Sequence, residues 1–258
     1  MKNNKLFGTI ALAALVGLLL TACGEKETGD SIGPAFLGAT LNLSGQVWTR
    51  DDVQFKGDRQ VTAGFYFYNS EEDAEEFIPL GRNGSITKGK FSYSIGVPVQ
   101  LAPINTFLMS FLDFFSFYER YNNINISDSN AKYAYVMYFD NLFKYYEGGS
   151  TKQEVADYGC YIYVDRDVSI TAKGGTYDNF CDCGDFESVC YCEEYEGSCY
   201  CGEGTGTFTD IKLNFKEGWN SFCLKYTGTI NSETITISAG IPSRTKWTLF
   251  YEHSEEED

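Results

Sequence analysis

Six of the nine cysteines form three Cys-x-Cys pairs that recur at intervals of nine residues. The paired residues are Cys181 and Cys183, Cys190 and Cys192, and Cys199 and Cys201. Residues i and i+2 of a β-strand point to the same face of a sheet, so each pair would place both sulfur atoms on one side. The repeats therefore predict a Cys-rich hairpin or meander extension near residues 176–206, with loops at 184–189 and 193–198.

Three interpretations of these six cysteines are open. Cross-strand disulfides would stabilise a segment that lacks an apolar core, and such bonds form in exported proteins. Thiolates would instead bind a soft metal ion, either Zn²⁺ or Cu⁺. The surrounding stretch is acidic and contains no Lys or Arg, which would attract cations but would also raise the pKa values of the thiols. The third interpretation is a variable surface segment without chemistry.

Two further cysteines lie singly in segments that alternate like strands. Cys160 precedes the run Tyr161–Thr171, and Cys223 lies within Trp219–Thr227. A disulfide between these two would complete an even set of eight cysteines in the exported domain, so Cys160 and Cys223 are a candidate pair.

The remaining cysteine follows a segment with the composition of a secretory signal peptide. Residues 1–22 begin with Lys2 and Lys5 and continue with an apolar stretch at residues 7–20. This stretch is shorter than the about 20 residues that a membrane-spanning helix needs, and its length is typical of a signal peptide.

The sequence Leu20-Thr21-Ala22-Cys23 resembles the lipobox of bacterial lipoproteins. The resemblance implies that the Cys23 thiol carries a diacylglycerol, that the signal is removed before Cys23, and that the new amino group is acylated. Gly24 stands where an Asp would mark retention in the inner membrane. We therefore expect a lipid-anchored protein of the cell envelope, in the outer membrane of a diderm bacterium, where exposure at the cell surface is one possible orientation.

The rest of the chain divides by composition. Residues 23–38 are polar and rich in Gly, which predicts a flexible lipidated tether. Residues 39–252 contain the strand-like segments and form the predicted β-sandwich domain, which includes the Cys-rich insert at 176–206. Residues 253–258 form an acidic tail.

The pattern of residues 39–252 predicts an all-β fold. Segments rich in Tyr, Phe, Val, Ile and Thr alternate with polar residues and are separated by Gly and Asn, which favours an antiparallel β-sandwich of the immunoglobulin- or transthyretin-like class. One continuous strand is predicted at Tyr161–Thr171. A hairpin is predicted from residues 208–215 and 219–227, with its turn at Glu217-Gly218.

One segment has helical spacing instead. Near residues 105–119, Phe107, Phe111, Phe114 and Phe115 share one face, which predicts a helical insertion. We expect this helix to pack in the core, because no Lys or Arg borders its apolar face before Arg120. An apolar patch that contacts a membrane or a partner is the alternative.

Two segments of the body, Tyr161–Thr171 and Leu213–Asn220, resemble segments of β-rich bacterial surface lipoproteins that have no assigned activity. The resemblance covers about a tenth of the chain. It implies an exposed β-rich domain and does not account for the Cys-rich insert.

Charge and composition exclude several classes of function. The chain of 258 residues has 36 acidic and 20 basic residues, a formal charge of −16. Removal of residues 1–22 takes two Lys and no acid, so the mature chain carries −18. Such a surface argues against nucleic-acid binding. The single histidine, His253, lies in the tail, and no P-loop, dinucleotide-binding, nucleophile-elbow or zinc-protease motif is present.

We therefore expect a lipoprotein that binds or shields and is not an enzyme, with no cofactor beyond the lipid at Cys23. Its partners are the membrane, through the anchor, and a glycan or protein ligand at the cell surface. Trp48, Trp219 and Trp247 are candidates for a glycan-stacking platform. The CxC repeats offer metal or cation binding as a further alternative. The sequence does not indicate an oligomeric state.

Overall fold

Aromatic and β-branched segments form strands along most of the chain, because their side chains pack well on a pleated, half-buried surface. The computed structural model describes residues 32–69, 74–113, 121–139, 141–150, 153–178, 205–229 and 232–250. The strands within these ranges are β1 (Phe36–Gly38), β2 (Leu41–Thr49), β3 (Arg59–Val61), β4 (Gly64–Asn69), β5 (Ala74–Pro79), β6 (Gly84–Thr87), β7 (Lys90–Ile95), β8 (Ala102–Pro103), β9 (Asn122–Ile126), β10 (Lys132–Val136), β11 (Tyr138–Phe139), β12 (Leu142–Ser150), β13 (Gln153–Val164), β14 (Val168–Lys173), β15 (Thr176–Asp178), β16 (Thr205–Phe208), β17 (Ile211–Phe215), β18 (Gly218–Thr229), β19 (Ser232–Ala239) and β20 (Lys246–Leu249). The predicted all-β class is confirmed.

The largest sheet has the strand order β15-β16-β19-β18-β13-β12-β20-β2-β7-β6-β3, and β1, β8, β10 and β11 pair along this path. Most neighbours are antiparallel, but β16 pairs with β19, and β2 with β20, in parallel. The expectation of a purely antiparallel sheet is therefore wrong at these two pairs. In both pairs a long connection separates the strands, and such a connection lets both run in the same direction.

A separate sheet contains β17, β14 and β9. Its position corrects the predicted hairpin, because β17 pairs with β14 whereas β18 pairs with β13. The turn Glu217-Gly218 still connects β17 to β18, but the two strands enter different sheets. The main-chain N–H of Glu217 donates to the carboxylate of Asp167 at 2.9 Å, so the turn is held by the β13–β14 connection.

The predicted strand Tyr161–Thr171 is also divided. It ends as β13 at Val164 and resumes as β14 at Val168. Between them, where the chain passes from one sheet to the other, Asp165 accepts a hydrogen bond from the main-chain N–H of Lys132 at 2.8 Å.

The long strands β13 and β18 pair over their whole facing length and form the centre of the fold. One face of this pair carries Cys160 and Phe222 and meets the short helix α1 (Phe107–Asp113), which follows a 3-10 turn at Ile104–Thr106. The ring centroids of Phe111 and Phe222 lie 5.1 Å apart. Phe107 and Phe111 are fully buried, so this helix belongs to the core. The rest of the predicted helix, residues 114–119, lies outside the described residues.

The described part of the predicted tether is bound to the domain. The N–H of Gly33 donates to the carbonyl of Ile241 at 2.8 Å, and the N–H of Ser221 donates to the carbonyl of Ala35 at 2.6 Å. Strand β1 then pairs with the start of β18. The prediction of a tether that extends to residue 38 is therefore wrong from residue 32 onward, because these backbone groups have partners in the domain.

The predicted Cys-rich extension is described only at its two ends. Strands β15 and β16 pair antiparallel at the edge of the large sheet, with Asp178 opposite Thr205. Residues 179–204, which include the six cysteines of the repeats, lie outside the described residues. Among the residues that are described, no helix is both long and apolar enough to cross a membrane.

Candidate functional site

The candidate site residues of the sequence analysis fall into three groups. Cys23 and the six cysteines of the repeats lie outside the described residues, so their predicted roles stay predictions. Cys160 and Cys223 lie in β13 and β18, and both are buried and free. Two of the three tryptophans are buried.

Cys160 and Cys223 do not form the predicted disulfide. In the register of β13 and β18, Cys160 lies opposite Phe222, and Cys223 lies opposite Gly159. Opposed residues share a face whereas consecutive residues point to opposite faces, so the two thiols project from opposite sides of the sheet. Burial raises the pKa of the Cys223 thiol to about 12 and raises the pKa of Cys160 as well. These are structural thiols rather than nucleophiles.

The tryptophans do not form a stacking platform. Trp219 is fully buried, and its indole N–H donates to the carbonyl of Gly96 at 2.7 Å. Trp247 is buried against Phe91, with a centroid distance of 4.5 Å. Trp48 is half-buried beneath the ammonium group of Lys246. With Trp219 and Trp247 in the interior, the three rings do not share one exposed face, and Trp48 is the one with partial exposure.

A cleft that the sequence analysis did not predict lies over the other face of the central strands. It has a volume of about 330 Å³ and opens between the N-terminal segment 33–43 and the loop 241–243. Its apolar walls include Leu41, Leu43 and Ile241. The central strands β12 and β13 add Lys144 and Tyr161 to the lining. Two segments that are distant in sequence therefore border one small, open cleft.

Gly159 allows the walls of this cleft to approach each other. It lies directly opposite Lys144 on the neighbouring strand β12. A Cβ atom at this position would lie 2.9 Å from Cγ of Lys144 and 3.0 Å from Cγ2 of Ile241. A larger residue would therefore displace either the lysine stem or the loop that covers it.

Lys144 is the one charged residue among those that line the cleft. Its ammonium group donates to the carbonyl of Thr245 at 2.8 Å and lies 5.5 Å from the ring centroid of Trp247. Within the described part of the chain, no carboxylate forms an ion pair with it. Burial lowers the pKa of Lys144 to about 8, because the charged form loses hydration.

The loop that covers the cleft is held by a turn and by an ion pair. The hydroxyl of Thr245 donates to the carbonyl of Pro242 at 2.8 Å. This bond holds Thr245 in the turn, and the main-chain carbonyl of Thr245 is the one that accepts from Lys144. Next to it, Arg244 Nε lies 2.5 Å from Oδ2 of Asp157, whose side chain is fully buried. The guanidinium group of Arg244 also lies 4.5 Å from the ring centroid of Tyr146.

The N-terminal segment is attached to the opposite rim. Ser221 lines the cleft, and its hydroxyl donates to the carbonyl of Pro34 at 2.8 Å. The carbonyl of Ser221 also accepts from the N–H of Gly240. One serine of β18 therefore connects both covering segments to the central sheet.

This arrangement is suited to binding. It combines apolar walls with one unpaired cation, and the described residues contain no group of three or more metal-ligating side chains. The sequence contained one signal that sequence analysis missed. Lys144 is a single charged residue in the run Leu-Phe-Lys-Tyr-Tyr, which otherwise has the composition of a core strand. The ion pair of Arg244 with Asp157, which are 87 residues apart, had no local signal.

Comparison with known proteins found no relative whose binding site could be compared with this cleft. No family model, no curated protein and no solved structure matches this chain.

Proposed function

We propose that the chain is an exported lipoprotein, anchored in the cell envelope by lipid on Cys23, whose β-rich domain binds a small ligand in the cleft at Lys144. The proposed location is the outer membrane of a diderm bacterium, and the proposed role is binding rather than catalysis. The anchor is supported by the sequence Leu20-Thr21-Ala22-Cys23 and by the signal-like segment before it.

The observation that carries the binding role is the cleft itself. Ligand sites are concave, mostly apolar and provided with a few convergent polar groups. The cleft of about 330 Å³ is concave and is lined by apolar and polar groups in similar measure. Its volume lies at the lower end of the range of about 300–1,000 Å³ for such sites. The ligand is therefore small.

The proposal includes two finer features of the architecture. The sheets form a β-sandwich, and the chain between β15 and β16 forms a Cys-rich hairpin or meander. The antiparallel pairing of these two strands supports the second feature, because it brings both ends of the insert together. Disulfides remain the proposed state of the six cysteines, and binding of Zn²⁺ or Cu⁺ is the alternative.

The anchor is tested by expression in a diderm bacterium with labelled palmitate. The wild-type chain is expected to incorporate label and to sediment with membranes, whereas Cys23→Ala is expected to incorporate none. Thr21→Ser is the control, since it keeps a small polar residue in the motif. An unlabelled wild-type chain in the soluble fraction would contradict the anchor.

The binding role is tested on the mature lipoprotein in a non-ionic detergent, with a panel of small carboxylates, amides, phosphates and sugars. We expect at least one compound to raise the melting temperature. Ser243 is exposed at the rim of the cleft, so Ser243→Trp is expected to abolish that shift. Ser129→Trp, an equally exposed position outside the lining, is the matched control. If no compound gives a shift that Ser243→Trp removes, the binding role fails.

A further inference from the structure

The donor geometry of Lys144 restricts which ligand the cleft accepts. An ammonium group has three N–H donors. One is used by the carbonyl of Thr245, and Lys144 makes no ion pair with another described residue. Lys144 also lines the cleft, so a ligand there can reach its side chain. A buried polar donor without a partner is costly, so the free donors favour an acceptor from the ligand.

The charge of the site points in the same direction. The buried acid Asp157 is paired with Arg244, and none of the described residues that line the cleft is acidic. The acid-rich exterior of the protein therefore does not extend into this cavity. A charge-assisted hydrogen bond between ammonium and an anion is stronger than a bond between neutral groups, particularly where water is partly excluded.

The walls define the remainder of the ligand. Leu41 is fully buried and Leu43 and Leu37 are half-buried along one side, and Ile241 and Pro242 lie on the other. These side chains offer hydrophobic contact and no charge. A ligand that contacts both Lys144 and these apolar side chains has an anionic end and a compact apolar body.

We propose that the cleft binds a small carboxylic acid with an apolar body, whose carboxylate pairs with the ammonium group of Lys144. This inference rests on the proposed binding role and adds the chemical class of the ligand. The carboxylate accepts the lysine donors that Thr245 leaves free, and the apolar body lies between the N-terminal segment and the loop 241–243. No covalent step is involved.

The inference is tested by calorimetric titration of the mature lipoprotein with benzoate and with benzamide, which has the same shape and no charge. Loss of a hydrogen bond to a charged group typically reduces affinity by about tenfold or more. We therefore expect benzoate to bind at least about tenfold more tightly than benzamide. Lys144→Met is expected to remove this preference, and Lys144→Arg is expected to retain most of it.

Lys212→Met is the charge-matched control, because Lys212 is exposed on β17 and does not line the cleft. This variant is expected to bind benzoate as the wild type does. Native-state melting curves establish that each variant is folded before it is titrated.

The inference and the binding role can fail separately. Equal binding of benzoate and benzamide, or a preference that survives in Lys144→Met, overturns the carboxylate assignment. Binding of inorganic phosphate alone, or of a neutral panel compound that Ser243→Trp blocks, also overturns it but leaves the binding role intact. Absence of any blockable ligand overturns both.

Discussion

The carboxylate of Asp157 has no exposed surface, and Arg244 reaches it from the loop that covers the cleft. Its second oxygen, Oδ1, has no hydrogen-bond partner among the described residues. A buried charge of this kind depends strongly on the partner that it does have. The position of the loop is therefore linked to the central sheet by one ion pair.

Arg244→Met is expected to lower the free energy of unfolding by about 3 kcal/mol, because it leaves the carboxylate of Asp157 buried without a counter-charge. Urea unfolding measures this change. Lys173→Met is the control, since it breaks the pair of Lys173 with Asp210, whose side chains are 66% and 37% exposed. Equal, small effects of the two substitutions would show that the buried pair does not hold the loop.

Lys144 also makes stability depend on pH. Its pKa falls from 10.5 to about 8 on folding, so between these values the unfolded chain binds more protons than the folded chain. The contribution of Lys144 to the free energy of unfolding therefore rises as the pH increases from about 8 to about 10.

In Lys144→Met this contribution is absent. We expect the free energy of unfolding of the wild type, relative to the variant, to increase by about 1–3 kcal/mol between pH 7 and pH 10. Urea unfolding at both pH values measures it. The Tyr and Cys residues that titrate in this range are present in both proteins and cancel in the difference. A difference that is constant with pH would contradict the lowered pKa.

At the scale of elements, the N-terminal segment has a structural role that its composition conceals. Gly33, Pro34 and Ala35 give their backbone groups to Ile241 and Ser221. A Gly- and Pro-containing stretch is typical of a linker, but backbone hydrogen bonds do not depend on side-chain type. The segment is thus one wall of the cleft, and in the proposed lipoprotein it would also connect the domain to the anchor.

Deletion of residues 32–38 is expected to destabilise the domain by at least about 2–4 kcal/mol, at about 0.5–1.5 kcal/mol for each of the three hydrogen bonds of Gly33, Pro34 and Ala35. The deletion also removes the pairing of β1 with β18. Thermal or urea unfolding of the mature chain measures the loss. Deletion of residues 24–30, in the part of the predicted tether that precedes these bonds, is the control. Equal stability of both deletions would show that the segment is only a tether.

At the scale of the whole molecule, the two described cysteines are separated in sequence from the six cysteines of the repeats. Cys160 and Cys223 are buried in the centre of the large sheet, whereas the repeats lie in the insert that begins after β15. The burial of Cys160 and Cys223 predicts that these two thiols are unreactive in the folded protein.

Alkylation of the native mature protein is expected to leave Cys160 and Cys223 unmodified, and both are expected to react once the chain is unfolded in urea. Burial excludes the reagent and raises the pKa of both thiols. In the same sample, peptide mass spectrometry and metal analysis show whether the six cysteines of the repeats are free, disulfide-bonded or metal-bound. A peptide that links Cys160 to Cys223, or modification of either in the native state, would contradict the structure.

Sequence patterns were sufficient for the local structure. Alternation along Tyr161–Thr171 predicts β-structure, which the folded chain divides into β13 and β14. The Phe spacing around Phe107 and Phe111 predicts a core helix segment. These patterns depend on which face of one element is apolar, which residues close in sequence establish. The anchor at Cys23 is likewise predicted from a short contiguous motif.

Pairing and site formation required the folded chain. The break of the predicted strand at Asp165, the separation of β17 from β18, and the meeting of Arg244 with Asp157 all depend on distant strands. Alternation shows that a residue faces one side of its sheet, but not which segment covers that side. Lys144 is an isolated lysine in the sequence and becomes the cation of a cleft because segments about 100 residues before and after it close over the same face.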